Sequence, residues 1–412
     1  VFVLNDTPVD PKALHSRLDR TLNNCAAHRY AIHMNNTGTI LSTLLYLRDK
    51  GAGVFPIHPD IPAETARMMA QTAGCDMLLA EGLKQVDIAQ PTAAQPGVLV
   101  QMSSGTTGAA KVITRRWDDI ATEVAHYADF FTKSAQMTPV IACPITHSYG
   151  LIPGVFVAQH RGHTPIVIDG VNPKYILRRL RETQNPVLYT SPAMLHTLAR
   201  LLPRGQVLNA AVTSGTVLPD AWFDLIRGRT THFFQQYGCS EAGCIAINQD
   251  LRNPYAVGHP LPHLNVTAGP PEAPAAVMVS KDDRTIDTGD LGSFDETGML
   301  VFAARADDMI NVAGMSVYPQ DIEKAVMAVP GVLDAVAFRI DDVLSGSRAG
   351  LVYAGHSVTE DEVRKTCQAN LASFQQPAFI KHLSALPREA NGKISRRAVA
   401  AQYAPSDDLV PA

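Results

Sequence analysis

The run Ser103-Ser104-Gly105-Thr106-Thr107-Gly108-Ala109-Ala110-Lys111 gathers glycines, hydroxyls and one lysine. Glycines let backbone N–H groups approach phosphate oxygens, hydroxyls add hydrogen bonds, and a lysine adds a compact positive charge, so the run suits a polyphosphate. The GxxxxGK[ST] spacing of a Walker loop does not occur here. In Gln236-Tyr237-Gly238-Cys239-Ser240-Glu241, an aromatic before glycine can stack on a nucleobase, and a carboxylate just past the turn can hold Mg²⁺ beside phosphate. Thr288-Gly289-Asp290 offers a carboxylate able to accept from the vicinal hydroxyls of a ribose. Leu386-Pro387-Arg388-Glu389-Ala390-Asn391-Gly392-Lys393-Ile394 puts a lysine on a glycine-containing turn, from which a loop can carry an ammonium into a cleft. Each segment alone has a plainer reading: a solvated loop, a core tyrosine beside a surface glutamate, an ordinary Gly-Asp turn, a solvent-facing lysine.

The elements that must hold these residues read as α/β. From Arg29 to about Ile245, short β-rich runs such as RYAIHMN, GVFPIHP, GVLVQMS, PVIACPI, PVLYTS, LNAAVTSG and HFFQQYG alternate with amphipathic stretches, which predicts mostly parallel sheet. Ile120, Val124, Tyr127 and Phe131 place one apolar stripe on a helix between strands. The lysine-bearing run and the YGCSE run both fall at the carboxyl ends of strands, where open α/β sheets bind ligands. After a Pro-rich stretch from Gly269 to Ala275, shorter strands with turns predict an antiparallel, barrel-like module. Beyond Asp307, a helix opening at Pro319 and the runs AVAFRID and AGLVYAG predict a small α+β domain. The expected division is therefore 1–306 for the core and 307–412 for a smaller mobile domain, with a frayed end at APSDDLVPA.

Bulk properties narrow the function classes. A chain of 412 residues exceeds what one hydrophobic core usually serves. With 46% hydrophobic and 18% charged residues the composition is globular, and a formal net charge of -4 supplies no basic field for nucleic acid or an anionic membrane. No uninterrupted apolar run reaches the roughly 18 residues of a membrane span, and no signal pattern opens the chain. Six cysteines without a CxxC pair argue against a disulfide framework or zinc site and predict a cytoplasmic setting.

Taken in order, SSGTTGAAK, YGCSE, TGD, ARADDMINVAGMSVYPQDIE and LPREANGK resemble the adenylate-forming superfamily of acyl-CoA synthetases, peptide-synthetase adenylation domains and firefly luciferase. The resemblance covers about Arg29 to Ala400. It implies ATP-dependent activation of a small carboxylic acid as its acyl-adenylate, then transfer to a phosphopantetheine thiol of CoA or a separate carrier protein. It also implies that Ser103 to Lys111 grip the β- and γ-phosphates, with Thr107 and Glu241 positioning Mg²⁺. Tyr237 lies against adenine, Gly238 and Ser240 belong to the same turn, and Ser214-Gly215-Thr216 line the adenine and acyl pocket. Asp290 holds the ribose, Arg305 stands beside the hinge, Asp307 is the hinge, Gly314 lines the thiol tunnel, and Lys393 is the catalytic lysine.

His147-Ser148-Tyr149-Gly150-Leu151 resembles the segment that begins the family's acyl pocket, with His147 as its gate or as a hydrogen-bonded structural residue. α-Amino-acid activating relatives place an aspartate where Ser148 stands, and dihydroxybenzoate activating ones an asparagine. A neutral serine pairs poorly with a buried ammonium, which disfavours an α-amino acid and leaves fatty, hydroxy and aryl acids open. Departures from the family pattern are Ala110 for proline, Ala304 for glycine, and Asn311 for a frequent lysine near the acceptor thiol. The alternatives are a ligase serving only a carrier protein, a luciferase-like oxidase, and a nucleotide-binding regulatory module that has lost catalysis; the presence of Lys393 and Glu241 weighs against the last.

Overall fold

The computed structural model describes residues 1–88, 97–103, 111–170, 172–313, 315–342, 345–388 and 394–404. Ser104, Gly105, Thr106, Thr107, Gly108, Gly314 and Lys393 lie outside the described residues, as do the side chain of Ser103 and residues 405–412 of the APSDDLVPA end.

Two large sheets form the core. The first runs in the order Lys84–Asp87, Met77–Ala80, Arg29–Ile32, Gly53–Pro56, Val98–Ser103, Lys111–Arg116. Its inner strands are parallel and its two outer pairs antiparallel. Arg29–Ile32 and Gly53–Pro56 are buried at every position, as expected where helices cover both faces of a parallel sheet. The second sheet has a parallel half made of Thr230–Cys239, Leu208–Ser214, Pro186–Thr190, Thr138–Ala142, Ile166–Val167 and Phe2–Leu4. Beyond Thr230–Cys239 it continues antiparallel through Gly243–Asn248, Ala256–Pro260, Leu300–Arg305, Arg284–Phe294, Ala275–Lys281 and Asn265–Thr267. The antiparallel module expected after the Pro-rich stretch is thus an edge-to-edge extension of the parallel sheet. The N-terminal hairpin, Phe2–Leu4 with Thr7–Val9, caps the opposite edge.

The largest apolar cluster fills the space between the two sheets. Leu41, Leu44 and Leu47 from the helix Thr37–Asp49 meet Ile120, Val124 and Tyr127 from Trp117–Phe130 there, packed with Tyr189, Val212 and Phe234 from the second sheet. The predicted stripe is therefore real, and Phe131 sits just past the helix end, fully buried. On the second sheet's other face, Leu188, Ala211 and Phe233 pack under the helices Pro173–Glu182, Pro192–Leu201 and Asp220–Arg227.

The C-terminal part is a smaller α+β domain with apolar clusters of its own. Val332–Asp342 and Gly346–Gly355 pair antiparallel, and Phe379–Leu383 joins them in parallel. Helix Pro319–Met327 begins with proline, which costs no hydrogen bond in a first turn, and Glu360–Asn370 begins with a Thr359/Glu362 capping box. Among the described residues no helix is long and apolar enough to cross a membrane.

Candidate functional site

Two strand ends bring the nucleotide-type motifs together. Lys111 opens the strand that leaves the Gly/Ser/Thr run, and its Nζ donates to Glu241 Oε1 at 2.8 Å across 130 positions of sequence. Glu241 sits in the turn between Thr230–Cys239 and Gly243–Asn248, where Gly238 lies at a bulge. An added Cβ on Gly238 would run into the backbone carbonyl of Gly243, so the bulge admits glycine alone. The Glu241 carboxyl is shifted down: burial works against this, and the Lys111 ammonium with local backbone N–H groups outweighs it. Its side chain remains 30% exposed and Lys111's 64%, so a cation or a phosphate can reach them. Among the described residues Lys111 is the ion-pair partner of Glu241, which leaves carboxylate capacity for a metal.

A second constellation adjoins the same strand. The Tyr237 hydroxyl donates to Asp290 Oδ2 at 2.6 Å, and Arg305 Nη1 donates to Asp290 Oδ1 at 2.8 Å and to the Thr288 carbonyl at 3.0 Å. The register Asp290↔Arg305 sets this geometry. Gly289, at φ +70°, turns the chain so that Asp290 faces inward. Burial pushes the Asp290 carboxyl above its ordinary range in spite of the Tyr237 hydroxyl and Arg305. Arg305 also reaches Asp307 at 3.5 Å, and Asp308 is bound by Arg396 at 2.7 Å, so successive acids are tied to opposite sides of the chain. Arg396 in turn grips the half-buried Glu323 through both carboxylate oxygens.

The third part of the site is the HSYG segment. His147 is exposed and Ser148 half-buried, both ahead of a wide-turned π-helical stretch, Gly150–Phe156, that contains Pro153. Gly150 is required there, since a Cβ would lie 2.6 Å from the Pro144 carbonyl. The Tyr149 hydroxyl donates to the Val212 carbonyl at 2.8 Å, which ties this segment to the end of Leu208–Ser214. Ser214 pairs in register with Gln236, and Gly215 (φ +88°) turns the chain out to an exposed Thr216. Buried behind them, the Tyr127 hydroxyl donates to Gln236 Oε1 at 3.0 Å. Ser240 is half-buried beside Glu241.

Sequence reasoning missed Arg115, Glu123 and Gln236, all buried at this site. Glu123 carried a signal, because it falls on the apolar stripe of its helix between Ile120 and Val124. A cavity of about 260 Å³ opens beside Glu241, walled by Thr114, Arg115 and Arg116 and by Val279, Lys281 and Arg284 of the facing hairpin.

Comparisons with known proteins give the family and the fold. Residues 84–268 match the model of the AMP-binding enzyme family, and residues 321–393 that of the AMP-binding enzyme C-terminal domain. The chain is 36% identical over 377 residues to a 3,4-dihydroxybenzoate–[aryl-carrier protein] ligase of Bacillus anthracis, covering 90% of both chains. It is 26% identical over 346 residues to an oxalate–CoA ligase of Saccharomyces cerevisiae, covering 75% of this chain and 63% of that one. Among solved structures, o-succinylbenzoate CoA synthetase of Bacillus subtilis with its acyl-adenylate intermediate superposes with a TM-score of 0.83 at 18% identity, over 97% of this chain and 94% of that one.

Proposed function

Because the chain belongs to the AMP-binding enzyme family, we propose that it activates an aryl carboxylic acid with ATP and passes the acyl group to the phosphopantetheine thiol of a carrier protein. It is an adenylate-forming acid–thiol ligase. A carboxylate oxygen of the acid attacks the α-phosphorus of ATP, the bond to the bridging oxygen breaks, and pyrophosphate leaves with that electron pair. The thiol then attacks the acyl carbon as thiolate, and AMP leaves.

The observation that carries the reading is the Lys111–Glu241 pair at 2.8 Å, which joins two motifs that sequence alone could only set in order. In the account that follows, Ser103 to Lys111 hold the β- and γ-phosphates, Tyr237 lies against adenine, and Asp290, aligned by Arg305, accepts from the ribose hydroxyls. Thr107 and Glu241 would hold Mg²⁺, which would supply charge neutralisation at the leaving pyrophosphate. Both reactants are anions, so fixed cations at the reacting centre contribute most, and Lys393 is the residue that bridges carboxylate and phosphate oxygens. The boundary falls at Asp307, between 1–306 and 307–412, and rotation there exchanges Lys393 for the Gly314 loop that lines the thiol's path.

The acid sits among His147, Ser148, Ser214 and Gly238, with Gln236 and Tyr127 behind. Ser148 brings no charge for an ammonium, and the buried amide and hydroxyls suit a ring bearing hydroxyl groups. The relative named for 3,4-dihydroxybenzoate makes that acid the first to try, with Ser148 departing from the asparagine of dihydroxybenzoate activating relatives, and its aryl-carrier acceptor favours a carrier protein over free CoA. The test is ATP–pyrophosphate exchange across aryl, hydroxy, fatty and α-amino acids. Exchange dependent on a hydroxylated aryl acid is expected, and exchange only with α-amino acids would contradict the reading.

A further inference from the structure

One charged pair lies buried behind the turn that presents Glu241. Arg115 is 7% exposed and Glu123 2% exposed, and Arg115 Nη2 donates to Glu123 Oε2. Glu123 Oε1 accepts the backbone N–H of Cys244 at 2.8 Å. Gly243, at φ +80°, lies directly against the pair, and an added Cβ would collide with Glu123 Oε2 and come within 2.6 Å of Arg115 Nη1. That nitrogen is buried and has no hydrogen-bond partner among the described residues.

A buried ion pair gives little net stability compared with apolar side chains of the same volume, and its best-attested use is to fix a register. Here the register it can fix is that of the metal-side turn. Lys111 and Arg115 are four residues apart on one strand, so they share a face. Lys111 meets Glu241 at the tip of the hairpin, and Arg115, through Glu123, meets Gly243 and Cys244 where the hairpin returns. The strand leaving the phosphate-type run therefore grips the hairpin at two charged points, and only the first would touch nucleotide or metal. The helix Trp117–Phe130 supplies Glu123 from an otherwise apolar stripe, which ties that grip to the main core.

We propose that the Arg115–Glu123 pair is the positioning element for Glu241, fixing the Cys239–Gly243 turn against the strand Lys111–Arg116 so that the carboxylate stands ready for Mg²⁺ beside Lys111. The inference rests on the adenylation reading and extends it to two residues outside the segments assigned to nucleotide and acid.

The test uses the full chain carrying Arg115→Met with Glu123→Gln, which keeps side-chain volume and leaves an acceptor for the Cys244 N–H. Circular dichroism and thermal unfolding report the fold, and ATP–pyrophosphate exchange is titrated with Mg²⁺, ATP and acid. The folded double variant is expected to need about 10–100-fold more Mg²⁺ for half-maximal rate, the usual loss when a metal ligand loses its support, with the KM for the acid little changed. Arg115→Lys, which keeps the charge, is expected to recover part of that loss. A folded double variant with wild-type Mg²⁺ dependence overturns the proposal, as does a rate loss that merely follows the unfolded fraction. If the double variant does not fold, Arg115→Lys alone decides: a raised Mg²⁺ requirement supports the role and an unchanged one removes it. A wild-type chain that exchanges with no acid overturns the adenylation reading itself, an outcome distinct from a variant that merely matches an active wild type.

Discussion

Asp290 and Glu241 are two carboxylates whose surroundings move them in opposite directions. Burial pushes Asp290 above the ordinary carboxylate range despite Tyr237 and Arg305, whereas Lys111 holds Glu241 below it against its own burial. As pH falls, the raised group takes up its proton first, so on the proposed roles the contact of Asp290 with ribose weakens while the Glu241 carboxylate proposed for Mg²⁺ is still charged. The KM for ATP should therefore rise on the acid side before the Mg²⁺ requirement changes, and Asp290→Asn should show a high KM that has lost this limb. An acid limb that persists in Asp290→Asn contradicts the assignment. Lys393→Ala should lower pyrophosphate exchange by about 10²–10³, the scale for one preorganised donor, while thioester formation from supplied acyl-adenylate survives better. Near wild-type exchange in that variant would remove Lys393 from the chemistry. At this scale the sequence is most readable where chemistry constrains residue type, and the structure does pair Lys111 with Glu241, residues taken from two such runs. Gln236 and Arg115 were not readable, because Gln236 meets Tyr127 of a helix distant in the chain and Arg115, with its near partner Glu123, abuts Gly243 of a distant hairpin.

Among elements, the hairpin from Thr230 to Asn248 does most to position the site, and its bulge at Tyr237/Gly238 turns Glu241 toward Lys111. Gly238→Ala puts a methyl group against the Gly243 carbonyl, and the expected cost is about 1–3 kcal/mol of stability with a larger proportional loss of exchange activity. Unfolding in denaturant alongside exchange kinetics checks both, and unchanged values would mean that the bulge relaxes freely. The helix from Trp117 and the strands after Arg29 were legible because periods of 3.6 and 2 are local signals. The edge pairing of Phe2–Leu4 with Ile166–Val167 and the seam between parallel and antiparallel halves were not. The edge pairing joins Val3 to Ile166, and nothing in either segment records so distant a neighbour, whereas the seam is a local hairpin whose antiparallel turn shows only against the parallel sheet behind it.

For the whole molecule, contacts among the described residues join the small domain to the core. The Arg388 guanidinium lies 5.7 Å from the Trp222 ring, itself stacked on His196 within the core at 4.2 Å, and Lys324 lies 5.7 Å from the Tyr255 ring and 3.9 Å from Asp220. Burial, then Arg200 and Arg388, hold His196 below its ordinary range, which keeps the stacked ring neutral beside the arginine. An exposed cation–π contact contributes about 0.5–1 kcal/mol, so Trp222→Ala should shift the ratio of the two half-reaction rates about two- to fivefold, toward the half-reaction that this arrangement does not serve. An unchanged ratio would show that these contacts do not weigh on the rotation. The most direct test of the central claim, attack of a carboxylate on the α-phosphorus, follows isotope through one turnover. With ¹⁸O in the carboxylate of 3,4-dihydroxybenzoate, ATP, Mg²⁺ and a phosphopantetheinylated aryl-carrier protein, the account predicts one ¹⁸O in AMP and none in pyrophosphate. Label recovered in inorganic phosphate alongside ADP, or a thioester formed with unlabelled AMP, would contradict it.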